Sequence, residues 1–254
     1  MNKTDSYREL EKGFLSTFLG ELLPGVLHNF ANPLNGIMGR SKLLQRRLAD
    51  TMKKYEQLHP GFAVEFGEDK ITRDVNSIAS EAERFFEIFR DLAGKVSTLA
   101  SPEPERINLS RMINSEIRFA DFYLDFKHDV KKDIVLDENL PGIMGNAAEY
   151  SLCLSAFINS ARERLKGCHD RELSISSTHD ERDVCILIQD NGMALCEASR
   201  KVAAECGSNC DIEGIPDHDR VICHAILLLK QSGASVCIDS GNGCNRISLA
   251  IPYR

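Results

Sequence analysis

The chain has no apolar run long enough to span a bilayer, and its first residues, MNKTDSYRELEKG, are charged and then amphipathic rather than a signal peptide. A cytoplasmic protein with no membrane insertion is therefore expected. It also has no lysine- or arginine-rich block, and a net charge of -7 with a pI near 5.6 argues against a general nucleic-acid binder. Its nine cysteines include no Cys-x-x-Cys pair, and an odd number does not close a disulfide framework. Their apolar contexts (SLCLS, DVCILI, VICHAI, SVCIDS) predict reduced thiols in the core. Cys206 and Cys210 with His218 or His224 fit no zinc-ligand spacing. No internal repeat or low-complexity segment is present. What remains is 254 residues, 43% hydrophobic and 27% charged, enough for two modest domains.

The stretch LLPGVLHNFANPLNGIMGRSKLLQRRL, residues 22–48, organises the first of them. Leu27, Leu34 and Leu48 share one heptad position, and Leu23, Phe30, Ile37 and Leu44 share another, which is the seam of a helix packed in a bundle. At about 100° per residue, His28, Asn32, Asn35 and Arg46 fall opposite that seam, with Glu21, Gly25 and Gly39 beside them. Gly25, Gly36 and Gly39 each cost about 1 kcal/mol relative to alanine, and Pro33 removes the bond to the carbonyl of Asn29. Local rules broken around one exposed histidine mark a working site.

After LHPGFAVEFGED, a second helix is expected from about Lys70 to Leu99. Its apolar positions Ile71, Val75, Ile78, Ala82, Phe85, Phe89, Leu92, Val96 and Leu99 alternate steps of four and three. The two helices predict an antiparallel hairpin over residues 1–100, and its uncovered seam predicts a homodimer in which two hairpins form a four-helix bundle. The alternative partner for the seam is the C-terminal half of the same chain.

SPEPER, with Pro102 and Pro104, then reads as a linker. From Ile107 shorter elements follow: a helix over INLSRMINSEIRFADFYLDF capped near Asn108 or Ser110, a strand near DIVLDENLP, and a helix from about Ala147 to Leu165. Strands are expected at ELSISSTH and DVCILIQD, helices around ALCEASRKVAAECG and DRVICHAILLLKQSG, and a closing pair of strands at ASVCIDS and RISLAIP about the turn GNGCN. The second domain, 107–254, is thus an α/β sandwich with a mixed sheet carrying helices on one face, and the chain as a whole is α+β.

HNFANPLNGI is similar to the phosphoacceptor box of bacterial sensor histidine kinases, and the order of elements from Ile107 to Arg254 resembles their ATP-binding domain, of the GHKL type. Between them the two resemblances cover almost the whole chain. They imply that His28 accepts a phosphoryl group from ATP and passes it to the aspartate of a response-regulator receiver domain, with Asn32 near the reacting group. Where the family carries an acidic base after the histidine this chain has Asn29, an amide that takes no proton.

LSAFINSARERL is similar to the family's N box, which implies that Asn159 coordinates the Mg2+ that bridges the ATP phosphates. CILIQDNG resembles the G1 box, which implies that Asp190 accepts a hydrogen bond from the adenine amino group, with Gly192 beside it; Ala194 stands where the family has a second glycine. In place of the family's glycine-rich lid stands GIPDHDRV, where Asp217 and Asp219 set negative charge toward the phosphates, a degeneration that resembles histidine phosphotransferases. Two functions are compatible with these residues. One is a histidine-kinase core using ATP and Mg2+. The other is an ATP-independent phosphorelay protein in which His28 only relays phosphoryl groups. Either would take its signal from an upstream sensor protein or another portion of the system.

Overall fold

The computed structural model describes residues 3–17, 22–57, 68–100, 103–204, 217–241 and 243–253. The chain forms two compact units, one of Pro24–Ala93 and one that joins Met1–Leu23 to Gly94–Arg254.

The smaller unit is built on helix α2 (Leu23–Gln57) and helix α3 (Glu68–Ala100). α2 ends at Gln57, directly before the connection expected at LHPGFAVEFGED, and Pro33 sits inside it without ending it. Three cross-helix pairs fix an antiparallel register: Phe30 with Phe85 at 5.4 Å between ring centroids, Gly36 beside Glu81, and Arg40 with Asp74 at 3.3 Å. Asp74 is buried and also pairs with Arg47. Phe30, Ile37 and Leu44 of α2, and Ile78, Ala82, Phe85 and Leu92 of α3, lie along this hairpin, and all of them are only half-buried within the chain.

The larger unit is a mixed α+β layer. Helix α1 (Lys3–Thr17) packs on helices α6 (Ala147–Leu165) and α8 (Asp217–Gln231). The N-terminal segment therefore belongs with the C-terminal unit rather than with the hairpin, a division different from one at residue 100. The reason lies in its apolar side: Leu10 is buried, Phe14 stacks on Phe119 at 6.0 Å, and Gly13 faces Val221.

A short antiparallel pair joins strand β1 (Pro104–Ile107) to strand β3 (Ile143–Asn146). The proline-rich linker thus holds a strand, because Pro104 opens it at the one position where a missing N–H is tolerated. Helix α4 (Leu109–Ala120) is capped by Asn108, whose side chain accepts from the Arg111 N–H. The single helix expected here is two, since the chain breaks at residues 121–123 before helix α5 (Leu124–Asp129).

The main sheet contains strands β2 (Val130–Leu136), β4 (Arg171–His179), β5 (Asp183–Asp190), β6 (Ser235–Gly241) and β7 (Cys244–Pro252), in the order β2-β4-β5-β7-β6. Only β2 and β4 are parallel. Alternation along β5 turns Val184, Ile186 and Ile188 inward, matched by Ile247, Leu249 and Ile251 on β7. The same alternation corrects the reading of the cysteines. Cys153 and Cys223 are buried, but Cys185 is half-exposed on the opposite face of β5, and Cys237 and Cys244 are exposed on the β6–β7 edge hairpin.

α6 is buried along nearly its whole length, and a polar cluster lies beneath it. The Lys95 ammonium donates to both oxygens of Glu116, at 2.7 and 2.8 Å, and to the hydroxyls of Ser151 and Ser155. It lies over the rings of Phe14 and Phe119 as well. Burial pushes the Lys95 ammonium below its ordinary value, against the pull of Glu116.

Candidate functional site

His28 is exposed on α2, and so are Asn32, one turn on, and Asn35, Gly39 and Arg46 further along the helix. Phe30, two residues from His28 and about 200° round the helix, turns instead to α3. The histidine therefore stands on a helical face that the hairpin's own packing does not use. Asn29, which follows it, is buried and could not serve as an exposed base.

In the larger unit, Asn159 lines a cavity of about 770 Å³, whereas Asp190 and Gly192 lie behind its wall, where Asp190 pairs with the lining residue Arg164. The cavity walls come from α1 (Glu9, Lys12), α6 (Asn159, Arg164), the turn after β5 (Met193, Ala194) and the start of α8 (Asp219, His224). Asn159 is half-buried at this cavity, and its side-chain oxygen accepts from Arg162 Nη1 at 3.3 Å. Arg162 is held in turn by Asp125, with Nε 3.0 Å from both carboxylate oxygens, and its guanidinium covers the Tyr123 ring at 3.7 Å. Burial would raise the Asp125 carboxyl, but the hydrogen bond and charge of Arg162 outweigh it and leave Asp125 below its ordinary value.

Asp190 ends the inward row of β5, facing Leu173 on one side and Asn245 on the other. Continuing the alternation of Val184, Ile186 and Ile188 buries it, and only 4% of the residue is exposed. Its carboxylate is then satisfied by the chain itself. Oδ1 accepts from Asn245 Nδ2 at 2.8 Å, from the Gly192 N–H at 3.0 Å and from Arg164 Nε at 3.3 Å, while Oδ2 accepts from Arg164 Nη2. Asn245 also donates to the carbonyl of Met193 at 3.0 Å and accepts from Ser240, so the turn after β5 is stitched to β7 and β6.

Gly192 has a packing role in this arrangement. A Cβ there would lie 2.7 Å from the Arg164 Cβ and 2.8 Å from its carbonyl carbon, so the turn reaches the end of α6 only without a side chain. The Met193 N–H completes the junction by donating to the Arg164 carbonyl at 3.2 Å.

Whether these residues fit ATP and Mg2+ differs between Asn159, which lines the cavity, and Asp190, which lies behind Arg164. The half-buried Asn159 lines the cavity, and its side-chain oxygen, with one lone pair engaged by Arg162, keeps one for a hard cation beside phosphate. Asp190 does not suit an adenine amino group as it stands, because its acceptor sites are taken by Arg164, Asn245 and Gly192. The lid segment before Asp217, with Cys206 and Cys210, lies outside the described residues. Asp219, at the start of α8, is buried beside the cavity. Among the described residues no group of three or more His, Cys, Asp or Glu side chains is placed to hold a metal ion.

Arg164 and Asn245 are the site residues that motif reading missed. Arg164 sits in the last turn of a helix, where a basic side chain is expected for its effect on the helix dipole, and so its cross-element pairing is concealed. For Asn245 the only signal lies in the pairing of β5 with β7.

No family model matches the chain, and no curated protein matches it in sequence. Among solved structures it is similar to the catalytic domain of the histidine kinase ThkA, at 13% identity over 59% of this chain and 96% of that one, with a TM-score of 0.47. It is similar also to the histidine kinase AdeS of Acinetobacter baumannii, at 14% identity over 87% of this chain and 98% of AdeS, with a TM-score of 0.43. A third is a bacterial phosphotransferase, at 11% identity over 90% of this chain and 93% of the other, with a TM-score of 0.42.

Proposed function

We propose that this chain is the histidine-bearing phosphotransfer core of a two-component signalling system. His28 carries the phosphoryl group and exchanges it with the aspartate of a response-regulator receiver domain. The observation that carries this reading is the exposure of His28 on a rigid helix, on the face away from the contact between Phe30 and Phe85. In the exchange, an imidazole nitrogen attacks the phosphorus of the receiver's acyl phosphate, and the P–O bond to the aspartate breaks as the P–N bond forms. Such a step needs positioning above all, which a helix supplies, and exposed Asn32 stands one turn away to orient the phosphoryl oxygens.

The hairpin then serves as the dimerisation module. Ile37, Leu44, Ile78 and Phe85 stay half-buried in one chain, and a second copy would cover them in a four-helix bundle, at about 25 cal/mol per Å² of apolar surface. No helix of the described residues is long and apolar enough to cross a membrane. With a net charge of -7, the expected partners are a second copy, a receiver domain and an upstream sensor protein in the cytoplasm, not nucleic acid.

The phosphoryl source divides the reading in two. In the histidine-kinase form, ATP is the donor, Asn159 holds Mg2+ and Asp190 with Gly192 meets the base. In the relay form, phosphoryl groups reach His28 only from receiver domains. In the structure Arg164 engages Asp190, and the kinase form requires that pairing to give way to the base. Incubation with radiolabelled ATP and Mg2+, and separately with a phosphorylated receiver domain, tests both. Label on His28 from either source, lost in His28→Gln, supports the phosphoacceptor role, whereas no label from either refutes it. Label from the receiver domain alone selects the relay.

A further inference from the structure

Four donors meet the Asp190 carboxylate, which offers roughly four lone-pair sites. Two of the four belong to one side chain. Arg164 lies one turn after Ser160 on α6, and it is fixed between Asp190 and the Ser160 hydroxyl, 2.5 Å from Nη1. Both Arg164 and Asp190 are 4% exposed, so water contributes little to either. The guanidinium is planar and presents parallel N–H groups to the carboxylate, the same kind of donor edge that an amino-substituted heterocyclic base would present.

We propose that Arg164 is an internal competitor for the base end of the cavity. A nucleotide gains Asp190 only when this guanidinium leaves it. The inference rests on the proposed nucleotide-binding role of the cavity, with the base at Asp190. The other two donors do not compete in this way. The Gly192 N–H and Asn245 hold the turn after β5 in place whether or not Arg164 is there, since Asn245 also binds the carbonyls of Gly192 and Met193. Arg164 itself lines the cavity beside Ser160, Met193 and Ala194, so withdrawing it would open the way to a carboxylate still oriented and short of two donors. Arg164 thereby sets both the affinity for a base and its chemistry, because a ligand must supply N–H groups to replace those it displaces.

The test is calorimetric titration of the full chain with Mg-ATP, comparing wild type with Arg164→Ala, Arg164→Lys and Ser160→Ala, each first checked for folding by circular dichroism. Arg164→Ala is expected to tighten binding by roughly tenfold, the equivalent of one charged hydrogen bond no longer broken on entry. Arg164→Lys keeps the cation and should stay near wild type. Ser160→Ala removes only the hydroxyl that anchors Nη1, leaves Asp190 paired, and should tighten binding by about threefold. If Arg164→Ala does not fold, Ser160→Ala decides alone. Folded variants that bind Mg-ATP no more tightly than wild type overturn the proposal, and so does the absence of binding in every folded form. Transfer of label from a phosphorylated receiver domain to His28 is followed in the same variants. Loss of that transfer in wild type defeats the phosphoacceptor reading while leaving the calorimetric result to stand.

Discussion

The hairpin and the larger unit each bury an aspartate beneath arginines, and the two pairs are built differently. Asp74 joins α3 to α2 through Arg40 and Arg47, whose side chains remain 48% and 31% exposed. Asp190 meets Arg164 with both partners in the interior. In the hairpin the pair ties two helices together and leaves the outer face, with His28, open to a partner. In the larger unit the pair uses up the carboxylate that motif reading assigns to a ligand. A residue's chemistry is thus offered outward in one region and consumed internally in the other.

Removing each aspartate measures that difference. Asp190→Ala strands the Arg164 guanidinium in the interior and is expected to destabilise the protein by about 3–5 kcal/mol. Asp74→Ala leaves guanidiniums that can turn to water, with an expected loss of about 1–2 kcal/mol. Urea denaturation of the two variants gives both values. Equal losses would show that the two pairs are energetically alike and would remove the ground for treating Arg164 as a fixed internal ligand.

Burial in the hairpin differs from burial in the larger unit as well. Within one chain Phe85 is half-buried against Phe30, and truncation to alanine there should cost about 1–2 kcal/mol. If a second copy covers the seam, Phe85 is fully interior, the loss rises to about 3–5 kcal/mol and the midpoint depends on protein concentration. Sedimentation equilibrium of wild type and Phe85→Ala distinguishes the cases. A monomeric wild type at micromolar concentration ends the four-helix-bundle reading.

Period carried most of the fold into view from sequence. The 3.5-residue spacing gave both hairpin helices, and α6 runs between the very residues that were expected, Ala147 and Leu165. Elements escaped where the determining contact is remote in sequence. β1 exists because its four residues pair with Ile143–Asn146, nearly forty positions away. α1 reads as amphipathic, but no local pattern says that its apolar side packs on α6 and α8. The candidate site divides in the same way. The placement of His28 follows from helical phase alone, whereas the state of Asp190 depends on Arg164 and Asn245, which only the packing of α6 on the sheet and the pairing of β5 with β7 bring to it.

A smaller effect distinguishes the cavity's interior from its rim. His224 on α8 is 4% exposed, and its Nδ1 has no hydrogen-bond partner. Burial lowers its affinity for a proton below the ordinary value of 6.5, Glu9 opposes that shift and Arg220 reinforces it. The folded state therefore keeps His224 neutral at a pH where the unfolded chain is protonated. Stability from this group is complete above pH 6.5 and falls as pH drops from 6.5 toward the lowered folded value, by at most about 1.4 kcal/mol per pH unit. Thermal melts at pH 7.5 and 5.5 should show a larger loss for wild type than for His224→Leu. An identical loss in both would place the histidine in contact with water.

The smallest effect on stability is expected at the residue with the largest effect on function. His28 is exposed and stands on the face opposite the contact of α2 with α3, so His28→Gln removes no packing and leaves no buried group unpaired. Its free energy of unfolding should stay within about 0.5 kcal/mol of wild type, while acceptance of label from a phosphorylated receiver domain should disappear. Glutamine keeps a polar side chain of similar reach at an exposed helical position but has no ring nitrogen able to attack phosphorus. Asn32→Ala sharpens the result, because it leaves the nucleophile in place and should slow transfer without abolishing it. A His28→Gln protein that is destabilised by several kcal/mol would mean that the histidine is held within the structure after all. One that is stable and still accepts the phosphoryl group would move the acceptor to another of the chain's seven histidines.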